Sequence, residues 1–171
     1  MTKNTPVIPT QDRVKELFTF DEDTGFFTRI KSVVNNPKRR PLGSRAKGMN
    51  SYIYISIDGR TYAAHRVVWL WVHGQWPTLI IDHKNRDRAD NRPGNLREAT
   101  QSQNMANNPP RKRTKSGKRG VYPAARKGAW QASITADSVI YRLGTFDTID
   151  EAHKAYCTAA DKYHGEFANY G

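Results

Sequence analysis

Apolar positions fall into two patterned stretches, separated by a run that has none beyond two prolines. Val14, Leu17 and Phe18 stand at i, i+3 and i+4, which predicts a short amphipathic helix. Asp21 to Gly25 reads as a turn and Phe26 to Ile30 as a strand. Ile53, Ile55 and Ile57 alternate with Tyr52, Tyr54 and Ser56, a period of two that ends at the hairpin turn Asp58-Gly59. Ala63 to Trp71 predicts a helix that buries Val67, Val68, Leu70 and Trp71 and stops near Gly74. Ile80-Ile81 is a short strand ending in Asp82-His83. A polar loop with Pro93-Gly94 follows, and Leu96 anchors a return strand. Thr100 with Gln103 makes a capping box, so a helix starts there with Asn104 in its first turn.

The second stretch predicts strands over Gly120–Ala125, Trp130–Thr135 and Val139–Phe146. Thr148 and Glu151 form another capping box. The helix after it places Ala152, Ala155, Tyr156, Ala159, Ala160 and Tyr163 on one stripe and ends at Gly165. A stripe made mostly of alanine lets that helix lie close on the sheet. The expected class is α+β: a larger mixed block over 1–108, a linker over 109–118, and a three-stranded antiparallel sheet plus helix over 119–171.

Charge sharpens this division. The chain of 171 residues carries 28 Lys and Arg against 16 Asp and Glu, a net charge of +12. Residues 1–108 hold a net +7, residues 109–118 a net +5 with no anion, and residues 119–171 none. The middle piece cannot bury enough to order itself and reads as a tether that follows phosphates. Between Thr24 and Ile57 there is no acidic residue, while Arg29, Lys31, Lys38, Arg39, Arg40, Arg45 and Lys47 accumulate. Nucleic acid is the expected partner. The longest apolar run, Val67 to Val72, is far short of the roughly 20 residues a membrane helix needs. A single cysteine, Cys157, excludes an internal disulfide framework and a Cys-rich zinc site; it is expected buried and inert. His65 is expected to be structural or to support the site, His73 to end a helix, and His153 and His164 to face solvent.

The order strand, loop, strand, helix can bring Asp82 and Asn104 to one point beside His83 and Asn95. A carboxylate and an amide oxygen are hard ligands that suit Mg²⁺, Mn²⁺ or Ca²⁺ and suit zinc poorly. A neutral histidine there can take a proton from water near pH 7. These are the parts that phosphodiester hydrolysis needs.

Residues 10–108 resemble an HNH endonuclease of the phage homing type, with its ββα-metal fold. The matching motifs are Tyr62 to Trp69, Asp82-His83, Asp90-Asn91, Asn95-Leu96 and Ser102-Gln103-Asn104. The resemblance implies His83 as general base, Asp82 and Asn104 as ligands of Mg²⁺ (with Mn²⁺ as a substitute), and Asn95 as the residue that orients His83 and the first strand. It also implies double-stranded DNA as substrate and the cytoplasm of a bacterial host as the compartment.

Residues 119–170 are similar to the APETALA/ethylene-response-factor DNA-binding domain, through Arg119-Gly120-Val121, Trp130, Arg142 to Phe146, Thr148 to Ala152 and Phe167-Ala168-Asn169. That resemblance implies a sheet laid in the major groove. The expected DNA contacts are Arg119, Arg126, Lys127, Trp130, Gln131 and Arg142, with Arg39, Arg40, Arg111, Lys112 and Arg113 as phosphate contacts. The leading expectation is therefore a site-selective, metal-dependent homing endonuclease acting as a monomer. The competing expectations are a DNA-binding regulator with an inactive HNH fold and a basic RNA-binding protein.

Overall fold

The computed structural model describes residues 8–30, 52–108 and 115–171. The chain forms two compact units, Met1–Glu98 and Ala99–Gly171. The division falls between Glu98 and Ala99 rather than at 108, so the helix carrying Asn104 groups with the C-terminal residues.

The first unit opens with helix α1 (Gln11–Leu17), capped by Thr10, whose side chain accepts from the Arg13 amide. Phe18 does not continue the helix. It starts strand β1 (Phe18–Asp21), which pairs antiparallel with β2 (Phe26–Arg29). Phe18 faces the core in either conformation, so the i+4 spacing does not separate helix from strand. Pairing with Arg29 does. β3 (Tyr54–Ile57) and β4 (Arg60–Ala63) form a hairpin. Its two turn residues, Asp58 and Gly59, have φ of +48° and +77°, as a two-residue turn of this hand demands. Helix α2 (Ala64–His73) ends at Gly74 in the left-handed region, whose amide donates to Leu70 O at 2.9 Å. Val67, Val68 and Leu70 are buried with Val14, Phe18, Phe27, Ile53, Ile55, Ile57, Ile81 and Leu96 in one core. Trp71, expected in that core, is half-buried at its rim, its ring against Phe20 and Phe27. β5 (Ile80–His83) and β6 (Leu96–Ala99) pair as a two-stranded sheet and enclose a polar loop.

The second unit begins with helix α3 (Gln101–Asn107), whose Thr100–Gln103 capping box closes reciprocally. The sheet of β7 (Val121–Pro123), β8 (Trp130–Ala136) and β9 (Val139–Phe146) is antiparallel in sequence order. Helix α4 (Ile149–His164) has the expected Thr148–Glu151 capping box and buries Ala152, Tyr156, Ala159 and Ala160 against it. Among the described residues no helix is long and apolar enough to cross a membrane.

Candidate active site

Strand alternation would expose every second residue of β5, yet Ile81, Asp82 and His83 are all buried. The polar pair is kept inside by dedicated partners. His83 is 4% exposed, and its Nε2 lies 3.1 Å from Oδ1 of Asn91. Asn91 is itself 1% exposed, and its Nδ2 has no partner among the described residues. An amide oxygen at Nε2 accepts the Nε2 hydrogen, which puts the basic lone pair of the neutral ring on Nδ1. Burial holds the His83 imidazole below its ordinary pKa, against the opposing pull of Asn91 and of Asp82, Asp90 and Asp87. The ring is thus kept neutral and able to accept a proton.

Asp82 is held by Arg97, whose Nε donates to Oδ2 at 3.0 Å; both side chains are nearly buried. The pair joins β5 to β6 through side chains as well as through the backbone. Neighbouring rings pack on His83. His65, at the start of α2, meets it edge-on with centroids 5.3 Å apart. Tyr52 lies 5.2 Å from His65 and 6.0 Å from His83, and the guanidinium of Arg88 sits 4.9 Å above the Tyr52 ring. Nδ1 of His65 is buried with no partner among the described residues, and the ring is pushed down to a pKa of about 3, first by burial and then by electrostatic repulsion of a second cation beside His83 and Arg66.

The loop between β5 and β6 is built by Asn95. Its Oδ1 accepts from the Asn85 amide at 3.0 Å, its Nδ2 donates to Asn85 Oδ1 at 3.0 Å and to Asp90 O at 2.8 Å, and its carbonyl accepts from the Lys84 amide. Sequence reasoning expected Asn95 to orient His83 and the first strand. Its bonds to Lys84 and Asn85 hold the chain where it leaves that strand, and the side chain at His83 Nε2 is Asn91, on the loop that Asn95 closes. Arg92 and Asn85 grip the Asp90 carboxylate and hold its pKa down to about 2. Gly25, at φ +72°, allows the β1–β2 turn to pass so close that a Cβ would stand 2.6 Å from the Asn91–Arg92 peptide.

Asn104 lies half-buried on α3, in the second unit. Among the described residues no three of His, Cys, Asp and Glu cluster to cage a metal. A single carboxylate with amide oxygens is a donor set for a hydrated Mg²⁺, which keeps most of its waters, and not for zinc.

The expected DNA contacts separate into groups. Gln131 and Arg142 stand on the sheet face opposite α4, since Ala132 and Ile134 point into the core and Arg142 pairs in register with Ser133. Lys127 is exposed in a turn. Arg126 is ion-paired with Asp147 on the surface. Trp130 is directed the other way: its ring packs with Val121, Ala132 and Ala152 under α4, because it shares the inward register of Ala132. Arg119 donates to the carbonyls of Asn108 and Met105. Arg39, Arg40, Arg111, Lys112 and Arg113 lie outside the described residues. His153 and His164, expected on the solvent side, are half-buried, and burial lowers the pKa of His164.

Asn91, Arg97, Tyr52 and Arg88 carried no assigned role in the sequence reading. Asn91 was visible as half of Asp90-Asn91, and Arg97 as the residue after the strand anchor Leu96, but nothing local pairs either with its partner.

Residues 62–106 match the HNH endonuclease family, a span that holds β5, the loop, β6 and most of α3. The chain is also 29% identical over 116 residues to an uncharacterised HNH endonuclease of Acanthamoeba polyphaga mimivirus. That similarity covers 67% of this chain and 59% of the relative, so it spans less than two thirds of the viral protein. The protein thus has an α+β fold with an HNH domain at 62–106 followed by a three-stranded antiparallel sheet.

Proposed function

We propose that this protein is a metal-dependent DNA endonuclease of the homing type, which cuts double-stranded DNA as a monomer. The observation that carries this reading is the buried His83, kept neutral, hydrogen-bonded by Asn91 and placed beside an Asp82 that Arg97 orients. His83 takes the proton of a water that attacks the scissile phosphorus, and the P–O3′ bond breaks. The 3′ oxygen leaves and gains a proton from solvent. Asp82 and Asn104 would hold a hydrated Mg²⁺ or Mn²⁺, which when bound stabilises charge on the leaving oxygen. Arg97 keeps the Asp82 carboxylate turned to its task. Gln131 and Arg142, with Lys127 in the exposed β7–β8 turn, are the surface offered to DNA by the APETALA-like sheet. The homing role, a phage origin and the bacterial cytoplasm follow the same resemblance.

The test is incubation of supercoiled plasmid bearing a target with the protein and Mg²⁺ or Mn²⁺, with EDTA as control. The expected result is a nicked circle that precedes linear DNA, abolished by EDTA. His83→Ala removes the cut by on the order of 10²–10⁴-fold and leaves DNA binding intact. Absence of cutting with every divalent ion overturns the reading, and linear product without a nicked intermediate overturns the monomer.

A further inference from the structure

Helix α3 has seven residues and is too short to stand alone in water. Its start is closed from within by the Thr100–Gln103 box. Its end is closed by side chains distant in sequence. Arg119 donates Nη2 to Met105 O at 3.2 Å and Nη1 to Asn108 O. Asn169 donates Nδ2 to Asn107 O at 2.8 Å and to Asn108 O at 3.1 Å. Asn169 is 9% exposed, and its Oδ1 accepts from the Gly171 amide, which fixes the orientation of its amide. A cation at the carbonyl end of a helix has the favourable sign for its dipole. Along the side of the helix, Ser102 Oγ accepts from the Asp137 amide at 3.1 Å, in the β8–β9 turn. Ala106 packs on Phe167 together with Ala99. Three separate parts of the C-terminal fold therefore grip one short helix: the segment before β7, the β8–β9 turn and the tail after α4.

We propose that Arg119 and Asn169 are positioning residues for cleavage, which hold α3 and with it Asn104, so that the chemistry depends on the C-terminal fold and not only on its affinity for DNA. This rests on the nuclease reading above, with Asn104 as a metal ligand. It assigns Arg119 to α3 in place of the expected DNA contact. The two roles predict different behaviour. A phosphate contact contributes charge, which lysine also carries, and adds roughly 0.9 to the salt slope of binding. A brace needs the forked guanidinium, which reaches two carbonyls at once and which lysine cannot reproduce.

The experiment uses the full chain with Arg119→Lys, Arg119→Ala and Asn169→Asp, and Asn104→Ala for comparison. Four quantities are read: DNA affinity over a salt series, cleavage rate at saturating DNA, the Mg²⁺ concentration for half-maximal rate, and amide hydrogen exchange of residues 101–108. Arg119→Lys and Asn169→Asp are expected to bind DNA as the parent does, with the same salt slope. Their cleavage at saturating DNA falls on the order of tenfold to a hundredfold, as small misplacements of reacting groups do. The Mg²⁺ requirement rises and the α3 amides exchange faster. If thermal melting shows Arg119→Ala unfolded, the other two variants carry the test. Parental cleavage at saturating DNA in both, or losses that follow DNA affinity with a shallower salt slope, overturns the proposal while the nuclease reading stands. A parent chain that cuts under no divalent ion overturns both.

Discussion

Oδ1 of Asn91 meets Nε2 of His83 at 3.1 Å, and both residues are almost wholly shielded from water. The imidazole is thereby held by a side chain that comes from the loop and not from the strand that bears it. Asn91→Ala removes the acceptor and lets the ring turn. Cleavage at saturating DNA is expected to fall about 10- to 100-fold, the usual range for partners that orient a catalytic or metal-bound group, with DNA affinity unchanged. Asn91→Asp keeps an oxygen at the same place and is expected to retain more activity than the alanine variant. Equal rates for parent and Asn91→Ala would remove this role.

Arg97 and Asp82 form an ion pair with little exposure on either side. Removing one member of a buried pair leaves a charge in a dry setting. Arg97→Ala is expected to cost on the order of 3 kcal/mol of stability, measured by denaturant unfolding. Asp82→Asn keeps an oxygen that can accept from Arg97 Nε and is expected to cost less stability than the arginine truncation, while cleavage is expected to be lost through weakened metal binding. The two readouts separate packing from chemistry.

His65 is neutral in the folded protein down to a pKa of about 3, against an ordinary 6.5. The unfolded chain takes up a proton near 6.5 and the folded one does not. Below that pH the unfolded state therefore binds more protons, and stability declines as pH falls from 6.5 towards 3. The slope approaches about 1.4 kcal/mol per pH unit for one such group. His65→Phe keeps the ring packing on His83 and Tyr52 and removes this term. Its unfolding free energy is expected to fall less steeply over that pH window than the parent's.

Gly120 has φ of +70°, and a Cβ built on it would stand 2.0 Å from Cδ2 of Tyr156. Gly120→Ala therefore combines a disfavoured backbone with a collision against a buried ring. The loss is expected on the order of 3 kcal/mol, seen as a lowered Tm. Gly128→Ala has the same sign of φ but no atom of the described residues within 4 Å, and is expected to cost less.

Arg142 stands exposed on the sheet face turned away from α4, in register with Ser133. Arg142→Ala is expected to weaken binding to the target by about 1–3 kcal/mol if it forks to a guanine, with a smaller loss on unrelated DNA. Competition binding against both sequences measures the difference. Equal losses on both would make Arg142 a phosphate contact.

Local signals in the sequence matched the structure wherever the determining partners are a few residues apart. Both capping boxes formed, because Thr100 and Gln103, like Thr148 and Glu151, satisfy each other's backbone donors. The Asp58-Gly59 hairpin and the alanine stripe of α4 followed from turn geometry and helical period alone. Strand β1 did not, since Phe18 satisfies an apolar helical position and an apolar strand position equally. Trp130 illustrates the same limit at a candidate site. Its residue type suits a base contact or a core, and only the register with Val121 and Ala132 decides for the core.

By itself the sequence determined the chain's periodicities, its turns, its basic charge and the order Asp82-His83, Asn95, Asn104, because each depends on residue type and short spacing. The tertiary structure decided which groups serve those residues: Asn91 for His83, Arg97 for Asp82, and Arg119 with Asn169 for the helix of Asn104. These partners are a loop, a hairpin or most of a domain away. An arginine or asparagine has the same donors wherever it stands, so its partner is set by the fold that brings an orphaned carbonyl or ring nitrogen within about 3 Å.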